Sequence, residues 1–311
     1  MITDLLNSTV LVGILSSGIR LATPYLYATI GETFGQLSGI LNLGVEGMML
    51  MGAYAGFMAT FRTGNPWLGL LAAILVGAAM GLAMAVISVT LKAEQGISGI
   101  GVYLFGLGMS DLLFQKTLGT VETVRGFQPV EIPFLSDLPV LGPIFFHHNL
   151  LVYGAFLLVP LAWFVLEKTT WGLRIHAVGQ NPGAADAMGV NVVRVRYLTV
   201  TFGGVMAAVA GASLSIALLN VFQQNLTSGM GFIAVALVYF GGWRPVGVLL
   251  GSLLFSSVNS LQNWVQVLGI PIPSEYAVMM PYVLTILALV IAVRKVAAPA
   301  ALTKPFERGE S

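Results

Sequence analysis

Residues 68–91, LGLLAAILVGAAMGLAMAVISVTL, contain no ionisable side chain. A helix of that length crosses the hydrocarbon core of a bilayer, which needs about 20 mostly apolar residues. Eight further segments are of this kind or close to it: 8–30, 37–60, 97–115, 149–167, 197–220, 228–240, 246–267 and 275–293. In hydrocarbon a backbone amide has no water to bond, so each segment must satisfy its own polar groups, as a helix does. The alternating segments of about ten residues that mark a membrane barrel are missing. Of 311 residues, 57% are apolar and only 9% charged. A soluble fold of this size buries only about three quarters of its surface and could not hide so much apolar area. The sequence predicts an all-α polytopic transmembrane bundle of about nine membrane segments, forming one domain over residues 1–311. Segment 228–240 is short and reads as a half-helix or as a span continued through Gly241–Gly242.

The few charges are unevenly placed. Residues 168–196 hold Lys168, Arg174, Arg194 and Arg196, and the tail 294–311 holds Arg294, Lys295, Lys304 and Arg308. Basic residues favour the cytoplasmic side. Putting both segments there brings Lys92 and Arg244 along and leaves Arg62, Lys116 and Arg125 outside. Arg20 sits within the first span. Nine spans with a cytoplasmic tail place the N-terminus outside. The first residues lack a basic n-region and a small-residue cleavage site, so no removable signal peptide is expected. The connection 116–148 carries Pro129, Pro133, Pro139 and Pro143. Proline fixes φ and lacks an N–H, so an ordered extracytoplasmic loop is expected there.

Several chemistries are excluded. There is no cysteine and there are only three histidines, which removes thiolate chemistry and leaves little for a metal site. A net charge of +1 offers no basic surface to nucleic acid. No Gly-x-x-x-x-Gly-Lys-Ser/Thr loop, His-Glu-x-x-His or Gly-x-Ser-x-Gly occurs, so neither a Walker-type ATP site nor the commonest hydrolase sites are present. The pairs Gly35/Gly39, Gly52/Gly56, Gly77/Gly81 and Gly247/Gly251 predict close helix–helix approach.

Two segments are informative. In Leu37–Gly56, LSGILNLGVEGMMLMGAYAG, a continuous helix from Leu37 would put Glu46 roughly 14 Å deep. A charge there costs about 2.5–3.5 kcal/mol on insertion scales. Asn42 and Glu46, four apart, would then share a helix face. They read either as a polar patch on a substrate route or as buried structural hydrogen-bonding groups. In 168–196, Asn181–Pro182 starts a short helix that Gly189 stops. A six-residue helix there reads either as a docking element or as an ordinary basic loop at the lipid headgroups. Asn220, Gln223, Gln224 and Asn225 cluster at the outer end of 197–220, and read either as a receiving site for a polar solute or as ordinary interfacial residues. Ser256, Asn259 and Asn263 recur at helical spacing on 246–267 and predict a polar face turned into the bundle or a cavity.

NLGVEGMMLMGAYAG, GLRIHAVGQNPGAADAMGV and VALVYFGGWRPVGVLLGSLLF, in this order, resemble ATP-binding-cassette importer permeases of the branched-chain amino acid and simple-sugar superfamily. The likeness covers about 20–295 and is nearest to the nucleoside and simple-sugar branch that works with BMP-type lipoproteins. It implies a multi-pass subunit of the bacterial cytoplasmic membrane without bond chemistry or cofactor of its own. ATP and Mg would reside on two cytoplasmic ATPase partners. The remaining implied partners are a second, different permease chain, an external binding lipoprotein and the membrane lipids. The family's coupling segment matches Gly172–Gly189, with Gly179, Asn181, Pro182, Ala184, Ala185 and Gly189 at its positions and Asp186 on the short helix. The substrate implied is a nucleoside, with simple sugars or branched-chain amino acids as alternatives. Asn42, Glu46, Asn220, Gln223 and Asn259 are the candidate pathway residues. Members often carry an acidic–basic pair just before the NLGVEG motif, where this chain has Phe34-Gly-Gln-Leu. A rival from the residues alone is an ion-coupled transporter using Glu46 and Asp111. A membrane-embedded enzyme is a second rival, but it lacks a catalytic constellation.

Overall fold

The computed structural model describes residues 8–268 apart from Ile132, Phe134 and Asp137, scattered positions between 276 and 290, and residues 297–308. The described chain is a helical bundle. Its helices are α1 (Ser8–Leu37), α2 (Val45–Thr63), α3 (Pro66–Ala85), α4 (Gln95–Thr117), α5 (Leu141–Phe145), α6 (Leu150–Lys168), α7 (Thr170–Gln180), α8 (Pro182–Ala187), α9 (Val192–Ser213), α10 (Met230–Phe240) and α11 (Pro245–Val267). Two three-residue strands, β1 (Pro129–Glu131) and β2 (His147–Asn149), pair antiparallel within the proline-bearing loop.

Six of these helices, two of them with their trailing π turns, are long and apolar enough to cross a membrane, against the nine segments expected among all residues. The difference has a physical origin. Segment 37–60 is not one helix, because α1 runs on to Leu37 and the chain then leaves helical geometry over 38–44. Segment 228–240 yields only the 11 residues of α10. Segment 275–293 lies outside the continuously described residues.

The centre of the bundle is α9, whose buried face is Gly203, Gly204, Ala207, Ala208, Gly211 and Ala212. Without a hydrophobic drive between helices in lipid, small residues let backbones approach and gain dispersion contacts. Here α2 and α3 close on α9: a Cβ at Gly52 would collide with the Ala208 backbone, and one at Gly77 with Gly204 and Ala208. At its end α9 widens into a π turn over Leu214–Leu218. That shift leaves the Ile216 carbonyl to accept from the Phe127 N–H at 2.8 Å, while Val124 donates to the Asn220 carbonyl at 2.9 Å. The 116–148 loop is thereby laid over the far end of α9. His148, buried in that loop with its Nε2 2.7 Å from the Ile144 carbonyl, is held below its ordinary pKa by burial, with the Arg20 and His147 charges adding.

The other end of the bundle gathers the basic residues. Lys92 pairs with Glu307, Arg308 pairs with Asp186, and Arg196 reaches the Lys304 carbonyl. This basic end carries α7, α8 and the tail 297–308.

Candidate functional site

Most helices here supply their own N-terminal cap. Asn65, Glu94, Asn149, Thr169, Asn181 and Asn191 each accept a first-turn N–H of the helix that follows. Two do not. Gly44 before α2 and Gly229 before α10 offer no side chain, and both helices begin inside the bundle. The first N–H groups of a helix have no intrahelical partner, and at membrane depth no water replaces one.

Glu46 resolves this for α10. Its Oε1 accepts from Thr227 Oγ1 at 2.5 Å and from the Gly229 N–H at 2.7 Å, and its Oε2 accepts from the Gly231 N–H at 2.6 Å. The residue is 1% exposed. It lies in the first turn of α2, so its carboxylate stands where two helix N-termini meet. Each contributes about half a positive charge from its dipole, which favours an anion. Gly231 is required here, since a Cβ on it would overlap the Glu46 backbone. Loop residues Asn225, Ser228 and Gly229 take positive φ as the chain turns into α10.

Glu46 lies level with the middle of a neighbouring helix, although the continuous helix expected from Leu37 does not form. Gly47 packs backbone to backbone on Gly106 of α4, which is 11 residues, or roughly 16 Å, from the start of α4 at Gln95. The 11 residues of α10 measure the same span from the basic end. The expected helix face shared by Asn42 and Glu46 is corrected: Asn42 belongs to the non-helical stretch. Outside the helix, the backbone of this stretch finds other partners, near and remote in sequence. Ser38 Oγ bonds the Gly35 carbonyl, Gln95 Oε1 accepts the Leu41 N–H at 2.8 Å, and Gly39 takes φ +93°. Asn42 donates its N–H to Glu32 Oε1 at 3.0 Å, and its Oδ1 accepts from the Gly44 N–H at 2.9 Å.

Glu32 is a second buried acid, and the sequence reading passed over it. Its Oε1 also accepts from Gln36 Nε2 at 3.0 Å, and Gln36 Oε1 accepts from Trp243 Nε1 at 2.9 Å. This chain of bonds joins α1, the broken segment and the turn after α10. Arg196 was missed as well. Counted as a loop charge, it is 1% exposed on the first turns of α9. Its Nε donates to the Ser38 carbonyl at 3.1 Å. Charged residues within one turn of a polar segment give no sequence signal of burial, which is why both escaped notice.

The other pathway candidates are dispersed. Asn220 is half-buried at φ +56° near the far end, Gln223 is exposed, and Asn259 is half-buried on α11. On α11 the buried polar stripe is Ser252, Ser256 and Ser260, with Ser260 donating to the Ile14 carbonyl. Asn263 is exposed rather than turned inward. Asp111 keeps Oδ1 buried without a hydrogen-bond partner among the described residues.

The coupling candidates come together at the basic end. Asn181 Oδ1 caps α8 through the Ala184 N–H at 3.0 Å, Pro182 opens it, and Gly189 closes it at φ +84°. Ala185 faces the protein interior, whereas Ala184, Ala187 and Met188 face outward. A groove of about 860 Å³ runs along α7 and α8, with Trp171, Arg174, Asn181, Ala184, Met188 and Arg194 in its walls. Gly179 sits against α1: a Cβ there would collide with the Leu37 carbonyl oxygen.

Comparison with known proteins gives the family. The putative glucose ABC transporter permease TsgC13 of Haloferax volcanii is 42% identical over 254 residues, covering 80% of this chain and 77% of its own. The guanosine ABC transporter permease NupQ of Bacillus subtilis is 36% identical over 93% of this chain and 94% of its own. The nucleoside ABC transporter permease NupC of Lactococcus lactis is 36% identical over 90% of this chain and 92% of its own. No solved structure matches the chain. The family described as branched-chain amino acid transport system, permease component, matches residues 14–289, and the chain belongs to it: it is a multi-pass ABC transporter permease.

Proposed function

We propose that this permease carries nucleosides inward as one membrane subunit of an ATP-driven importer. The observation that carries the reading is the alignment of relatives named for guanosine and nucleoside transport along nine tenths or more of both chains. The basic end faces the cytoplasm by the bias of positive charge, and the 116–148 loop faces outward toward a binding lipoprotein. Two ATPase subunits work from the cytoplasmic side, in keeping with a sequence that has no P-loop. A second, different permease completes the pathway. The membrane is the bacterial cytoplasmic membrane.

Transport follows from two bundle states whose contacts differ, with ATP binding shifting the balance between them. The outward face of α8 is where force would enter. With the full complex in vesicles, labelled nucleoside uptake should require ATP hydrolysis and persist when the proton gradient is collapsed. Uptake that survives without ATP but fails with the gradient would sink the reading. Glucose is the second candidate because of TsgC13; its failure to compete against labelled guanosine separates the two.

The docking part has its own test. Crosslinks to an ATPase subunit should form from Met188→Cys, whose side chain is 85% exposed, and fail from Ala185→Cys, which is 5% exposed. The reverse pattern would place the ATPase elsewhere.

A further inference from the structure

The tail 297–308 bonds to α7, α8, α9 and the broken segment 38–44. Ala301 donates its N–H to the Gly179 carbonyl of α7 at 2.9 Å, and two residues later Thr303 donates to the Gly39 carbonyl of the broken segment at 3.1 Å. Ala301 is itself buried. Arg196 bonds the Ser38 carbonyl through Nε and the Lys304 carbonyl through Nη1, both at 3.1 Å. At the margin, Glu307 meets Lys92 at 2.6 Å and Arg308 meets Asp186 of α8 at 2.8 Å. Gly39 leaves room for both partners: a Cβ there would press on the Arg196 guanidinium and the Ala301 carbonyl.

We infer that the tail and Arg196 form a clip that makes α7–α8 and segment 38–44 move as one body. A buried guanidinium held by main-chain carbonyls of two remote segments fixes their spacing better than a surface contact would. From Gly39 the segment leads through Asn42 to the Glu32 carboxylate and on to Gly44, which opens the helix bearing Glu46. Displacement of α8 is thereby delivered to the centre of the bundle. Arg196 is a positioning residue in this scheme, and the tail is a working part of the transporter.

The inference rests on the proposed ATP-driven transport, and one reconstituted complex tests both. If the unaltered complex shows no ATPase stimulation by its loaded binding protein, the functional reading fails. If it does, Arg196→Gln and a chain ended after Val296 should lower the ratio of stimulated to basal ATPase about fivefold or more, the scale of a coupling free energy. Basal hydrolysis should stay near the unaltered rate, and Arg196→Lys, which keeps a cation without the fork, should recover part of the ratio. An unchanged ratio overturns the clip. Should those variants fail to assemble, spin labels at Met188→Cys and Lys304→Cys decide it, both side chains being exposed and the chain free of other cysteines. Their separation should be the same without nucleotide and with ATP. A separation that changes overturns the clip.

Discussion

Glu46→Ala will destabilise the permease more than any other single polar substitution in the bundle. It orphans the Thr227 hydroxyl and the Gly229 and Gly231 N–H groups together. Each buried donor left unpaired costs about 1–3 kcal/mol, so the loss is at least about 3 kcal/mol, with no water at that depth to recover it. Glu46→Gln keeps one carbonyl acceptor but turns an amide toward the remaining donors and removes the charge that the two helix ends favour; its effect should be intermediate. Thermal unfolding of the purified complex in detergent measures this. A group that acts only on passing solute would show the opposite pattern, with normal unfolding and lost uptake. An alanine variant that melts like the unaltered protein ends the capping account.

The second large effect is expected from Gly179→Ala. The new methyl group meets the Leu37 carbonyl, a backbone atom that cannot rotate away. Overpacking of this kind costs about 1–3 kcal/mol. A functional loss of similar size should accompany it, because α7 must lift from α1 and the Ala301 bond to Gly179 is strained with it. Uptake should fall about tenfold or more, on the scale of 1.4 kcal/mol per decade, while the membrane content of the complex falls little. Gly183→Ala is the matched control. A Cβ there makes only an ordinary 3.6 Å contact with Asn181 Oδ1, so uptake should be kept. Equal uptake by both variants would show that the α7–α1 contact carries no force.

These expectations rest on positions that the sequence marks to different degrees. Asn181, Pro182 and Gly189 are legible, because a cap, a fixed φ and a left-handed stop are local demands of the chain itself. The close approach at Gly52 and Gly77 is legible too, as spacing, although its partner on α9 is not. The break at 38–44 is hidden. Hydropathy runs apolar through it, and the groups that unwind the helix, Gln95 and Arg196, come from 54 and more residues away. The same holds for Glu46, whose three donors lie more than 180 residues downstream.

By itself, the sequence determined that this chain lives in a bilayer as helices, which end carries the positive charge, and which short helix stands capped at that end. Those properties follow from composition and local backbone rules, which need no knowledge of neighbours. Only the tertiary structure decided that two helices begin in mid-bundle, that one carboxylate serves the second of them, and that the tail joins α7 to the broken segment. Each of these is a hydrogen-bond pairing between segments remote in sequence. Burial without water compels such groups to find partners, and the fold alone determines which ones are within reach.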